Sequence, residues 1–186
     1  MEAFLVSAGI VALAELGDKT QLLAIVLAAR YRQPVPVILG IFAATLANHA
    51  LAAWLGAEVA GVLGPDMLRW ILGLSFLAMA AWTLVPDKPE EEKAQGARLG
   101  AFAATLVTFF LVEMGDKTQI ATVVLAARYV SIAAVVAGTT LGMMLADVPA
   151  VYFGERILRR VPAKVVHRVA AAGFALLGAL ALIGPD

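Results

Sequence analysis

Apolar stretches of about 17–25 residues, each long enough to cross a hydrocarbon core of about 30 Å as a helix, recur from one end of this chain to the other. Once most of a chain is written that way, little is left for a soluble domain. Composition agrees, because 62% of the 186 residues are hydrophobic against roughly 45–50% in soluble proteins. The pattern predicts an all-α integral membrane protein with six transmembrane helices, at about 3–29, 35–57, 67–85, 98–127, 131–153 and 165–184. Pro34 and Pro36 mark the start of the second run, and Gly64-Pro65-Asp66, Pro86 and Pro162 fall between runs and set their edges.

Inside the first and fourth runs the chain writes one heptapeptide twice. Glu15-Leu16-Gly17-Asp18-Lys19-Thr20-Gln21 and Glu113-Met114-Gly115-Asp116-Lys117-Thr118-Gln119 place acids, a lysine and an amide where the neighbours are apolar. At the same offset Leu27-Ala28-Ala29-Arg30-Tyr31 returns as Leu125-Ala126-Ala127-Arg128-Tyr129, and Gly40 matches Gly138. The halves are therefore repeats: 1–86 and 98–186 as three-helix units, with 87–97 as an acidic linker carrying Glu90-Glu91-Glu92. Three spans per unit is an odd number, so the second unit must enter the membrane inverted. That architecture places a substrate site where the units meet near the midplane.

Lysine and arginine counts orient the chain. Connections after the first, third and fifth spans hold Arg30, Arg32, Lys88, Lys93, Arg98, Arg156, Arg159, Arg160, Lys164 and Arg168, against Arg69 and Arg128 on the other side. Both termini are expected outside and the 87–97 linker in the cytoplasm. Arg30 and Arg128 read as interfacial anchors, and Trp54, Trp70, Trp82, Tyr31, Tyr129 and Tyr152 as aromatic-belt residues.

Each ionisable group at the centre of a membrane helix costs roughly 2.5–3.5 kcal/mol, so six of them demand a reason. On continuous helices Glu15, Asp18 and Gln21 share a face, as do Glu113, Asp116 and Gln119. A purely structural alternative pairs Glu15 with Lys19 and Glu113 with Lys117. Gly17 and Gly115 either admit a close neighbour or let the helix unwind locally, and Thr20 and Thr118 can serve the freed groups. Four carboxylates and two lysines total about −2, which one divalent cation or two protons would neutralise. Glu15, Asp18, Glu113 and Asp116 are hard oxygen ligands, joined by the amide oxygens of Gln21 and Gln119, and suit Mn²⁺, Ca²⁺ or Mg²⁺. Mg²⁺ sheds water reluctantly, which favours the other two.

The chain has no cysteine, which excludes disulfides and thiolate metal sites. A formal net charge of zero leaves no basic surface for nucleic acid. No cofactor is expected; the partners are a divalent cation, protons and the lipid bilayer, with room for a homo-oligomer. Asp147 in the fifth span is the repeat mate of His49 in the second, and both are candidates for proton relay or outer ligation, with Asn48 beside His49.

The doubled Glu-x-Gly-Asp-Lys-Thr resembles the GDT family of Golgi manganese/calcium–proton exchangers and their bacterial manganese-exporting relatives, and the resemblance covers nearly the whole chain. It implies a transporter, not an enzyme, that exchanges Mn²⁺ or Ca²⁺ for protons by alternating access, with Glu15, Asp18, Glu113 and Asp116 as the cation site. The compact build, without the long N-terminal extension of eukaryotic members, implies a prokaryotic inner-membrane exporter of Mn²⁺. The rival readings are an exporter of a cationic amino acid or other small organic cation, a membrane hydrolase using paired carboxylates, and a channel or structural bundle.

Overall fold

The computed structural model describes residues 1–85, 100–154 and 163–183. The acidic run 87–93 and most of the loop cations used for orientation, Lys88, Lys93, Arg98, Arg156, Arg159 and Arg160, lie outside these, as do the boundaries of the 87–97 linker. The described residues fold entirely as helices: α1 (Glu2–Glu15), α2 (Lys19–Tyr31), α3 (Pro34–Val62), α4 (Pro65–Thr83), α5 (Ala101–Glu113), α6 (Lys117–Arg128), α7 (Ile132–Phe153) and α8 (Ala163–Ile183).

The first and fourth apolar runs are not continuous helices. Each breaks inside its heptapeptide, between α1 and α2 and between α5 and α6. Leu16 and Met114 turn extended, and Gly17 and Gly115 follow with φ of +83° and +81°. That left-handed conformation is open to glycine and costs other residues roughly 1–2 kcal/mol. The expectation that Glu15, Asp18 and Gln21 line one helical face is therefore corrected. Glu15 ends α1 and Asp18 caps α2, with the chain changing direction between them, and Glu113 and Asp116 do the same for α5 and α6.

Starts and stops elsewhere follow local chemistry. Pro34 and Pro65 occupy first-turn positions of α3 and α4, where the missing N–H costs nothing. The Ser131 hydroxyl accepts from the Ala134 N–H at 3.4 Å to begin α7. Pro149, however, lies inside α7, against the reading that breakers fall only between spans. A membrane helix tolerates such a proline when neighbours serve the freed backbone, and it stands two residues from Asp147.

Packing exchanges elements between the halves. α1 lies on α7 while α5 lies on α3; α2 touches α7 while α6 touches α3; and α3 and α7 touch each other. Gly40 and Gly138 make the two main contacts close. A Cβ at Gly40 would stand 2.7 Å from the Thr105 Cβ, and one at Gly138 would stand 2.9 Å from the Ser7 Cβ, and Ser7 and Thr105 are themselves repeat mates. α4 and α8 pair at one flank, joined by Phe76 and Phe174 with ring centroids 6.4 Å apart.

α3 and α7 are long and apolar enough to cross a membrane. The distribution of side chains points the same way. Phe42, Leu46, Trp54, Leu111, Leu145 and Phe153 are exposed, whereas Glu15, Asp18, Gln21, Glu113, Lys117 and Asp147 are buried. A water-soluble fold arranges these classes the other way round.

Candidate functional site

The two helix breaks face each other and are built alike. In each, the glutamine four residues beyond the glycine turns its side-chain carbonyl back onto the break: Gln21 Oε1 accepts from the Gly17 N–H at 2.9 Å, and Gln119 Oε1 from the Gly115 N–H at 2.7 Å. An amide left without a helical partner is thereby satisfied. The glutamine oxygens, expected among the cation ligands, each spend one lone pair on the backbone. Gln21 also donates through Nε2 to the Ala146 carbonyl at 3.1 Å, tying the first break to α7 beside Asp147.

The threonines act within their own motif. The Thr20 hydroxyl donates to Glu15 Oε1, and the Thr118 hydroxyl donates to Glu113 Oε2 at 2.9 Å. Each glutamate is fully buried, and its other oxygen has no hydrogen-bond partner.

The lysines act across the motifs. Lys19 Nζ lies 3.3 Å from Asp116 Oδ1, and Lys117 Nζ lies 3.2 Å from Asp18 Oδ1. The within-motif pairing of Glu15 with Lys19 and Glu113 with Lys117 gives way to reciprocal ion pairs with aspartates of the other half. The reason is the break, which places each glutamate at the end of one helix and each lysine at the start of the next. The aspartates occupy N-cap positions of α2 and α6, yet neither side chain bonds to the amides of its own helix.

Asp147 and His49 are fully buried, and neither oxygen of the acid and neither nitrogen of the imidazole has a hydrogen-bond partner. Asn48 donates to the Phe110 carbonyl at 3.0 Å. The charge of Asp147 bears on both Glu15 and Glu113, which also act on Asp18 and Asp116 or are acted on by them. The five acids are thus one electrostatic neighbourhood. Among the described residues, however, no three acidic or histidine side chains are placed to hold one ion between them.

Arg30 and Arg128, at the far ends of α2 and α6, each lie over the adjacent tyrosine ring, 5.7 Å from Tyr31 and 5.8 Å from Tyr129. Sequence reasoning did not pick out Pro149 or the pairing of Ser7 and Thr105 against the two glycines. The signals were present, as a proline two residues from an intramembrane acid and as hydroxyls recurring at the repeat offset.

A cluster of buried acids paired with lysines between two broken helices, inside an apolar exterior, defines a membrane transporter of ions. Residues 3–91 and 101–185 match the family described as divalent cation/proton antiporter GDT1, and the chain belongs to it. It is a transporter that exchanges divalent cations for protons, not an enzyme. A protein of Vibrio cholerae serotype O1 (strain ATCC 39541 / Classical Ogawa 395 / O395), named "Putative manganese exporter", is 53% identical over 182 residues, covering 97% of this chain and 90% of that protein. No solved structure matches the chain.

Proposed function

We propose that the chain exports Mn²⁺ from a prokaryotic cell in exchange for protons, by alternating access around a site built from the two heptapeptides. The observation that carries this reading is the buried carboxylate set. Asp18 and Asp116 meet lysines, while Glu15, Glu113 and Asp147 keep bare oxygens out of reach of water. Buried carboxylates of that kind need a proton or a metal ion to be tolerated. Exchange of one for the other is the chemistry they are fitted for. The hard oxygen donors favour Mn²⁺ or Ca²⁺, and the name of the Vibrio cholerae relative favours Mn²⁺.

In this reading Glu15, Asp18, Glu113 and Asp116 hold the ion, with Gln21 and Gln119 bracing the backbone breaks on which the acids are mounted. The chain crosses the membrane six times as two inverted three-helix repeats, counting α1 with α2 and α5 with α6 as single interrupted crossings. Both termini face outside in the inner membrane. Short half-helices meeting at the midplane are the means by which many inverted-repeat transporters expose one site to each side in turn.

The test is reconstitution into proteoliposomes with Mn²⁺- and pH-sensitive reporters, comparing the natural protein with Asp18→Asn and Asp116→Asn. Uphill Mn²⁺ movement driven by a pH gradient is expected, and its loss in both variants. Undiminished exchange in both would overturn the site. Turnover that carries net charge would overturn the exchange of one divalent ion for two protons.

A further inference from the structure

We propose that Lys19 and Lys117 are tethered stand-ins for the transported cation: each occupies an aspartate of the opposite half until the ion displaces it, and their release uncouples the two halves. This rests on the site reading above and extends it to two residues for which the carboxylate chemistry alone has no use.

Three observations carry it. The lysines stand at the first residue of α2 and of α6, the positive end of a helix, where a cation is disfavoured. Local helix chemistry therefore does not explain either one. The aspartates cap those helices in position only, and point instead at the lysine of the other motif, 3.2 and 3.3 Å away. An N-cap aspartate ordinarily accepts from its own helix, so both have given up a local bond for a distant cation. Finally, among the described residues no three acids are placed to hold one ion, so binding at these aspartates has to rearrange the side chains, and the ion pairs are what stands in the way.

The consequence is a mechanical link. Asp18 and Lys19 belong to the first half, Asp116 and Lys117 to the second, and each half holds the other through both pairs. A divalent ion that takes the two aspartates breaks both ties at once. The exchange is then of one cation for another at the same oxygens. The pairs differ in access: the Lys117–Asp18 side chains are 2% and 1% exposed, while Lys19 is 27% exposed. An ion arriving from that open side meets the Lys19–Asp116 pair first.

The test uses the full chain in detergent with Mn²⁺ as the probe. Lys19→Met and Lys117→Met are each expected to bind Mn²⁺ more tightly, by about tenfold, the lower end for close and desolvated charge pairs. Their exchange in proteoliposomes should slow, because nothing displaces the ion. Lys→Arg at either position keeps the charge and should stay near the natural affinity. Labelling of Lys19 in the unaltered protein by a water-soluble amine reagent should rise when saturating Mn²⁺ is added and not with choline, and it needs no variant to fold. Unchanged or weaker binding in both Met variants, together with labelling indifferent to Mn²⁺, would overturn the proposal. Asp18→Asn and Asp116→Asn separate the two readings. If they lose Mn²⁺ binding while the Met variants do not gain it, only the displacement idea fails; if they bind as before, the site itself is wrong.

Discussion

The side-chain carbonyl of Gln21 closes onto the backbone N–H of Gly17 at 2.9 Å, one turn earlier in the chain. It replaces the helical acceptor that the break at Leu16 removes, and Gln119 does the same for Gly115. Gln21→Ala should strand that part-buried amide, at a cost of up to about 1–3 kcal/mol, the range for a donor left unsatisfied inside a protein. The expected outcome is a lower melting temperature in detergent together with slower exchange. Gln21→Glu keeps an acceptor at the same place and should keep more of the stability than Gln21→Ala. Equal thermal stability of the natural protein and Gln21→Ala would remove the bracing role.

Gly17 and Gly115 carry the positive φ of the two breaks. Alanine at either position strains the backbone by roughly 1–2 kcal/mol and favours a straight helix, which would carry Glu15 and Asp18 back to one face. Nothing lies within 4 Å of a Cβ placed at Gly115, so sterics with neighbours play no part there. Gly115→Ala is therefore expected to lower exchange while leaving protein yield near normal. Normal exchange would mean that the break is not needed for turnover.

Much of this site is legible from sequence because its cost is local. Six ionisable groups in apolar runs stand out without any knowledge of what they touch, and the repeat offset pairs them. The breaks at Gly17 and Gly115 could be raised only as one of two options, since a glycine in a membrane helix serves close packing as often as unwinding. The lysine partners were out of reach. Sequence spacing puts Lys19 one turn from Glu15, but once Gly17 turns the chain, the nearest carboxylate belongs to the other half. Pro149 escaped for a related reason: apolar length alone does not register a breaker that the surrounding helices can absorb.

Gly40 on α3 and Gly138 on α7 are places where the two halves approach closely. A methyl group at Gly40 would meet the Thr105 Cβ at 2.7 Å and the Phe102 carbonyl at 2.8 Å; at Gly138 it would meet the Phe4 carbonyl at 2.5 Å. These neighbours are backbone or Cβ atoms, so a helix has to shift. Overpacking of this kind costs about 1–3 kcal/mol. Gly40→Ala and Gly138→Ala should each lower the melting temperature. If α5 and α1 move during transport, each should also slow exchange beyond what the stability loss explains. Thermal unfolding of both variants in the same detergent checks the first part, and flux per folded protein checks the second.

Asp147 and His49 occupy equivalent places in the two repeats, but they are chemically unlike, and that breaks the twofold likeness of the site. Both are fully buried and unpartnered, yet only Asp147 brings a carboxylate to bear on Glu15 and Glu113. Replacing it by asparagine keeps the shape and removes the ionisable group. A purely structural residue with no hydrogen-bond partner would lose nothing by this change, and the fold would be as stable or more so. If Asp147 helps hold the ion or its competing protons, stability should stay level while exchange falls by about tenfold or more, a loss of about 1.4 kcal/mol. His49→Asn should matter less, because it removes no negative charge from the acid cluster. Measuring melting temperature and Mn²⁺ flux for both variants decides the matter: Asp147→Asn that transports like the natural protein assigns the residue to packing, and leaves the two heptapeptides as the whole of the site.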